Sequence, residues 1–376
     1  MHRVWRGSVA AGVIAFACAA ALGLALFAWR DARGDERFDV VRWELTTLPN
    51  KWLYAAGGWL RGKPDAADVL ARYFASDDRG GAAARAREND VEAVIEGRID
   101  AVLRELGLGW PGPPLPGVLP PVDVELAESP RALVVSPRER IERVRVETLR
   151  ADLDRAAAEA VERRAEGTPA RRSALVVGTG GFATYPAVVD LGGSYRETVA
   201  TAAHEWVHHY LALYPLGRAY LGDGDTATIN ETVADLLGDE VAARVIERWG
   251  EPAGEGDVPR LAEPASDVDA RLRALRVEVD ALLTAGAIEM AEARMEAERL
   301  ELVERGARIR RLNQAYFAWY GTYAARADSV DPLGGQLRAL RARAGSLARF
   351  AVLVRGVTTR EQVAALLTRD ELAGPR

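Results

Sequence analysis

Cysteine is almost missing from this chain of 376 residues: Cys18 is the single one, so no intramolecular disulfide can form. Lysine is nearly as scarce. Arginine outnumbers it 47 to 2, the composition of a GC-rich bacterial genome, and no concentrated basic face accompanies the net charge of −6 and pI near 5.5. Nucleic acid is therefore excluded as an expected partner. Histidine is rare too, with four in all and none beyond His209. Long apolar runs are limited to one, near the N-terminus. What is present is 49% hydrophobic and 28% charged, enough to bury a core and unlike a disordered chain.

Three of the four histidines fall in the run His204-Glu205-Trp206-Val207-His208-His209, which contains H-E-x-x-H. Positions i and i+4 of a helix lie one above the other, so His204 and His208 can offer two imidazole nitrogens to one zinc ion, leaving Glu205 free to act as a base. Chance produces this pattern in roughly one chain in several hundred of this composition. His209 points about 100° away from His208 and reads as a surface or supporting histidine. A tetrahedral catalytic zinc needs a third protein ligand and keeps its fourth position for water, which the metal makes more acidic. The best candidate is Glu231, in Asn230-Glu231-Thr232-Val233-Ala234-Asp235. Thr228 to Glu231 reads equally as a capping box that merely opens a helix, and Asp235 as a solvated helix residue.

H-E-x-x-H followed by a helix bearing N-E-x-x-A-D resembles the gluzincin, thermolysin-like zinc metallopeptidases, over about 35 residues. More narrowly, H-E-W-V-H-H-Y-L with N-E-T-V-A-D resembles a group of membrane-anchored bacterial aminopeptidase-like proteins. The resemblance implies His204, His208 and Glu231 as ligands of one Zn2+, Glu205 as general base, and Asn230 and Asp235 as partners that fix the histidine tautomers. It also implies a Tyr or His beyond the third ligand that donates to the oxyanion. With no histidine left, Tyr320 is the first choice and Tyr316 the second, in the aromatic run Tyr316-Phe317-Ala318-Trp319-Tyr320-Gly321-Thr322-Tyr323, whose default explanation is a core stripe. This departs from the thermolysin pattern, which uses histidine.

Local signals place these residues. Ser194-Tyr195-Arg196-Glu197 is a capping box and Pro215 a limit, so the first metal helix is expected over about 195–213, burying Ala200, Ala203, Val207 and Leu211. The second should end near Trp249-Gly250. Residues 173–178 and 184–190 read as strands around Gly178-Thr179-Gly180-Gly181, which serve a turn or bulge, not a phosphate loop. By analogy with gluzincins, the strand from Tyr185 to Asp190 would bind the substrate backbone. Val122–Leu126 and Ala132–Val135 are further strands, and Pro137 is expected to open a long charged helix to about Arg164.

Ser8 to Trp29 carries no charge and is long enough to cross a ~30 Å hydrocarbon core. Arg3 and Arg6 precede it, Trp5 and Trp29 border it, and Arg30, Arg33, Arg37 and Arg42 follow. An uncleaved anchor is favoured over a cleaved signal peptide, because no small-x-small site follows, and over a lipoprotein signal at Cys18.

The expected architecture is α+β, predominantly helical, with a small sheet and two metal-bearing active-site helices of gluzincin type behind one N-terminal transmembrane helix. The regions are residues 1–30, cytoplasmic tip and anchor; 31–109, membrane-proximal helices with exposed charge; 110–121, a Pro/Gly linker; 122–250, the metallopeptidase core; and 251–376, a helical region completing the active site, with a break near Gly286. The functional expectation is a single-pass protein of the bacterial inner membrane, catalytic region outside, hydrolysing peptides or proteins. Aminopeptidase and endopeptidase action stay open. The opposing readings are an inactive scaffold of the same fold and a zinc hydrolase of non-peptide bonds.

Overall fold

The computed structural model describes residues 36–57, 65–109, 117–222, 224–253 and 265–368. The architecture is α+β, mostly helical with a small sheet component. Helices α1 (Val40–Gly57), α2 (Ala66–Phe74), α3 (Ala82–Arg85) and α4 (Glu88–Leu103) come first. Strands β1 (Val124–Ala127), β2 (Arg131–Pro137) and β3 (Arg145–Leu149), helix α5 (Arg155–Glu166) and strands β4 (Arg172–Gly178), β5 (Gly181–Phe182) and β6 (Ala187–Asp190) form the middle. Then follow α6 (Tyr195–Leu211), α7 (Pro215–Arg218) and α8 (Gly224–Trp249). The remainder is α9 (Ala265–Thr284), α10 (Ile288–Glu304), α11 (Gln314–Tyr320), α12 (Pro332–Ala344), α13 (Leu347–Val354) and α14 (Arg360–Leu367). The proposed anchor, residues 8–29, lies outside the described residues, among which no helix is long and apolar enough to cross a membrane.

The strands make two three-stranded sheets where one was expected, in the orders β1-β6-β5 and β3-β2-β4. In the first, β6 pairs parallel with β1 and antiparallel with β5. Its central place corrects the substrate-strand expectation: both edges of Ala187–Asp190 are already used, and β5 is the edge strand on that side. The expected helix from Pro137 to Arg164 is also corrected. Pro137 closes β2, the charged run turns back as β3, and the helix starts only at Asp154, whose carboxylate caps the Ala157 N–H at 2.7 Å. An exposed charged edge hairpin and the outer face of a helix look alike in sequence.

Two further boundaries move. Gly286, at φ 74°, does break the C-terminal arm into α9 and α10. The Pro/Gly segment, however, separates no cores: one hydrophobic cluster takes Phe74 and Ile95 from before it and Val189, Trp206, Val233 and Phe350 from after it. Its end is docked, with the Pro120 carbonyl accepting from Trp206 Nε1 at 2.7 Å.

The charge of α1 and α4 is not on the surface as expected. Glu96 Oε1 accepts the Val124 N–H at 3.0 Å and Glu92 Oε1 the Leu126 N–H at 2.7 Å, while Lys51 donates to the Val124 carbonyl. Side chains thus satisfy the outer edge of β1, which has no strand neighbour there. Lys51 also pairs with Glu92 and lies 3.4–3.9 Å from Glu96, Glu125 and Asp123.

Helices α6 and α8 cross at the centre. The expected capping box is present, Ser194 accepting from Glu197 N–H and Glu197 from Ser194 N–H, and it sets where α6 begins. Ala203, Val207 and Leu211 are fully buried, with Val199, Ala202 and Trp206 buried on the adjoining faces. Gly238 lets α8 approach α6, since a Cβ there would lie 2.9 Å from the Ala200 carbonyl oxygen and 3.1 Å from His204 N.

A candidate metal centre between two crossing helices

His204 and His208 stand one turn apart on α6, and Glu231 faces them from α8. The two Nε2 atoms are 2.9 Å apart; Glu231 Oε2 is 3.3 Å from His204 Nε2 and 3.6 Å from His208 Nε2. These are the expected ligands, and together they could hold a metal ion. The capping-box alternative for Glu231 falls away, because α8 begins at Gly224 and Glu231 sits two turns inside it.

The other nitrogen of each imidazole is engaged. His204 Nδ1 is 3.0 Å from Asp235 Oδ1, and His208 Nδ1 is 2.7 Å from Asn230 Oδ1. Oxygen can only accept, so both Nδ1 atoms carry the proton and both Nε2 atoms present lone pairs. Two imidazole lone pairs and a carboxylate oxygen aimed at one point repel one another unless a cation or a proton lies between them. Tetrahedral zinc with bonds of about 2.0–2.1 Å requires ligand edges of about 3.3 Å, close to the three separations found. The donor set therefore fits a metal ion of tetrahedral geometry.

Charge follows the same logic. Burial lowers the His204 proton affinity, but hydrogen bonds to Asp235 and Glu231 more than reverse this and hold it well above the ordinary range. Burial raises Glu231, and the two imidazoles overcome it, so the carboxylate stays ionised. Glu205 is buried beside them and its carboxyl is pushed up by that burial, against the pull of both histidines.

Three neighbours escaped the sequence reading. Tyr220 donates to Glu231 Oε1, which leaves Oε2 for the histidines. It sits in the short connection between the metal helices, upstream of Glu231, where no periodicity marks it. Gly181 on β5 packs on the base: a Cβ there would lie 2.4 Å from Glu205 Oε1 and 2.7 Å from Thr201 Cγ2. Close approach, not a turn, explains this glycine. Tyr323 is the third. Its ring centroid is 6.5 Å from that of His204, and its hydroxyl is raised by burial and then by Glu231, Tyr220, Asp235 and Glu205.

Tyr320 and Tyr316, the expected oxyanion donors, lie elsewhere. Their ring centroids lie 4.5 Å apart with the planes tilted by 50°, Arg326 covers Tyr320 at 5.0 Å, and the charges they feel are those of Arg326 and Asp328 rather than of the metal group. Helix α11 ends at Tyr320, so Tyr323 lies in the turn beyond it. The turn is seated on α8 by Ala324 N–H, which donates to Thr232 Oγ1 at 3.1 Å, one residue past Glu231. His209 also has a defined place: Nε2 meets the Thr184 carbonyl at 2.7 Å, its ring packs on Tyr185, and burial lowers it to about 4, so it is neutral.

No family model, no curated protein and no solved structure matches the chain.

Proposed function

We propose that the protein is a zinc-dependent metallopeptidase of gluzincin type, anchored in a bacterial inner membrane through residues 8–29 with its catalytic part outside. The observation that carries the reading is the convergence of His204 Nε2, His208 Nε2 and Glu231 Oε2, each histidine locked by its own acceptor, around a buried carboxylate that is not part of the ligand set. A purely structural site has no use for Glu205.

Bound there, zinc would polarise the scissile carbonyl and acidify a water molecule. Glu205 takes the proton of the attacking water and delivers it to the leaving amine. Gly181 leaves the room that this carboxylate needs. Tyr323, kept protonated by its surroundings, donates to the oxyanion in place of Tyr320 or Tyr316. Tyr220 and Asp235 hold ligands in place and do not touch substrate.

The test uses the full chain purified in detergent, beside Glu231→Ala and Glu205→Gln, with zinc content and cleavage of a fluorogenic peptide panel measured on each. One zinc per chain is expected in the parent and in Glu205→Gln, with cleavage only in the parent, and neither zinc nor cleavage in Glu231→Ala. A zinc-loaded parent that cuts esters but no peptide would replace this reading with a non-peptide hydrolase; a folded, metal-free parent would replace it with a scaffold.

A further inference from the structure

A cleft of about 710 Å³ runs between the start of α8 and the turn that follows α11. Thr228, one turn before Glu231 on α8, and Thr322, the neighbour of Tyr323, form part of its wall. Three guanidinium groups line it, and two are occupied. Arg360 is held by both oxygens of Asp331, at 2.7 and 2.8 Å, and by Asp225. Arg276 pairs with Asp280 at 2.7 Å and covers the Phe317 ring. The remaining acids of the wall are engaged too, Asp328 with Arg326 and Glu142 with Arg140.

Arg143 is the third, and it has no hydrogen bond or ion pair with any described residue. It is half-buried, so its guanidinium has given up part of its hydration without gaining an acceptor among the described residues. A planar fork of N–H donors matches a carboxylate with two parallel hydrogen bonds, and an incoming carboxylate would restore what burial removed.

We infer that Arg143 is a substrate-binding residue that captures a carboxylate of the peptide, so that the site prefers peptides carrying negative charge. The inference rests on the metallopeptidase reading above. Two sources share this chemistry: the α-carboxylate of a free C-terminus and the side chain of Asp or Glu. Nothing in the metal group requires this preference, because zinc, Glu205 and Tyr323 act on any peptide bond.

The test is calorimetric titration of the full chain in detergent, zinc-loaded and carrying Glu205→Gln so that ligands are not cut. The ligands are an N-acetylated neutral pentapeptide as free acid, the same peptide as amide, and the amide with one Ala→Glu change. The free acid, the Glu peptide or both should bind roughly tenfold more tightly than the neutral amide, and the first two separate the sources. Adding Arg143→Gln should abolish the preference, while Arg143→Lys should keep part of it. Equal binding of all three peptides, no binding of either acidic one, or a preference that survives Arg143→Gln would overturn the inference. Cleavage by the parent chain is read separately. Peptides cut without regard to charge would sink the Arg143 role and leave the metallopeptidase standing; zinc without cleavage of any peptide would remove the metallopeptidase instead.

Discussion

At the scale of single residues, the division of labour among tyrosines is the most exposed part of the mechanism. Tyr220 touches a ligand, Tyr323 lies by His204 and feels every carboxylate of the site, and Tyr316 packs against Tyr320, which Arg326 covers. Removing one preorganised oxyanion donor costs about 10²–10³ in kcat. Tyr323→Phe is therefore expected to lower kcat by about that factor with zinc content and KM little changed, whereas Tyr320→Phe should leave kcat within a few-fold of the parent. The comparison is read from steady-state kinetics with zinc measured on the same samples; the reverse order would return the role to Tyr320. The four residues given by the H-E-x-x-H run and Glu231 were legible because covalent spacing on a helix fixes where they point. Their orienting partners Asn230 and Asp235 were legible for the same reason, one residue before and four residues after Glu231 on α8. Tyr220, Gly181 and Tyr323 were not, since each reaches the site through a turn or an edge strand, where spacing does not dictate direction.

Among elements, the docking of α1 and α4 on β1 is the electrostatic weak point. One ammonium, Lys51, serves four carboxylates at an edge buried from water. Burial raises Glu92 to about 8 and Asp123 and Glu125 to about 7, each against the pull of Lys51. Carboxyl groups with folded affinities above their unfolded values, near pH 4, favour the fold while protonated. That contribution is complete below about pH 4 and disappears as pH rises through 7–8. The melting temperature should accordingly fall between pH 5.5 and 8.5, and Glu92→Gln should flatten the fall. Lys51→Met, which strands the carboxylates, should cost about 3–5 kcal/mol near pH 8 and less near pH 5.5. A melting temperature that climbs with pH in the parent, or a Glu92→Gln profile parallel to it, would contradict this picture. The elements themselves were partly legible. The capping box, Pro215 and Gly286 marked helix ends that the structure keeps, because each acts through its own backbone. Glu92 and Glu96 read as solvated helix charge because an open strand edge that needs acceptors leaves no trace in the sequence of α4.

The whole molecule is one fold built around one helix crossing. The cluster joining α2 and α4 to α6, α8, α12, α13 and α14 encloses both metal helices, and the C-terminal segment completes the site by bringing Tyr323 to His204. Arginine–acid pairs tie the periphery to this body, as where Arg310 and Arg311 close on the fully buried Glu162 of α5. The class, α+β and mostly helical, followed from composition and helical periodicity. The two sheets did not, because strands of two to seven residues carry too few alternations to reveal which pairs with which. On this proposal His204 Nε2, His208 Nε2 and Glu231 Oε2 hold zinc at this crossing. Zinc-edge X-ray absorption on the full chain, as purified, tests it most directly. Two imidazole nitrogens and oxygen scatterers at about 2.0–2.1 Å are expected, with the signal lost in Glu231→Ala; zinc without imidazole ligation, or a signal indifferent to Glu231→Ala, would contradict the claim.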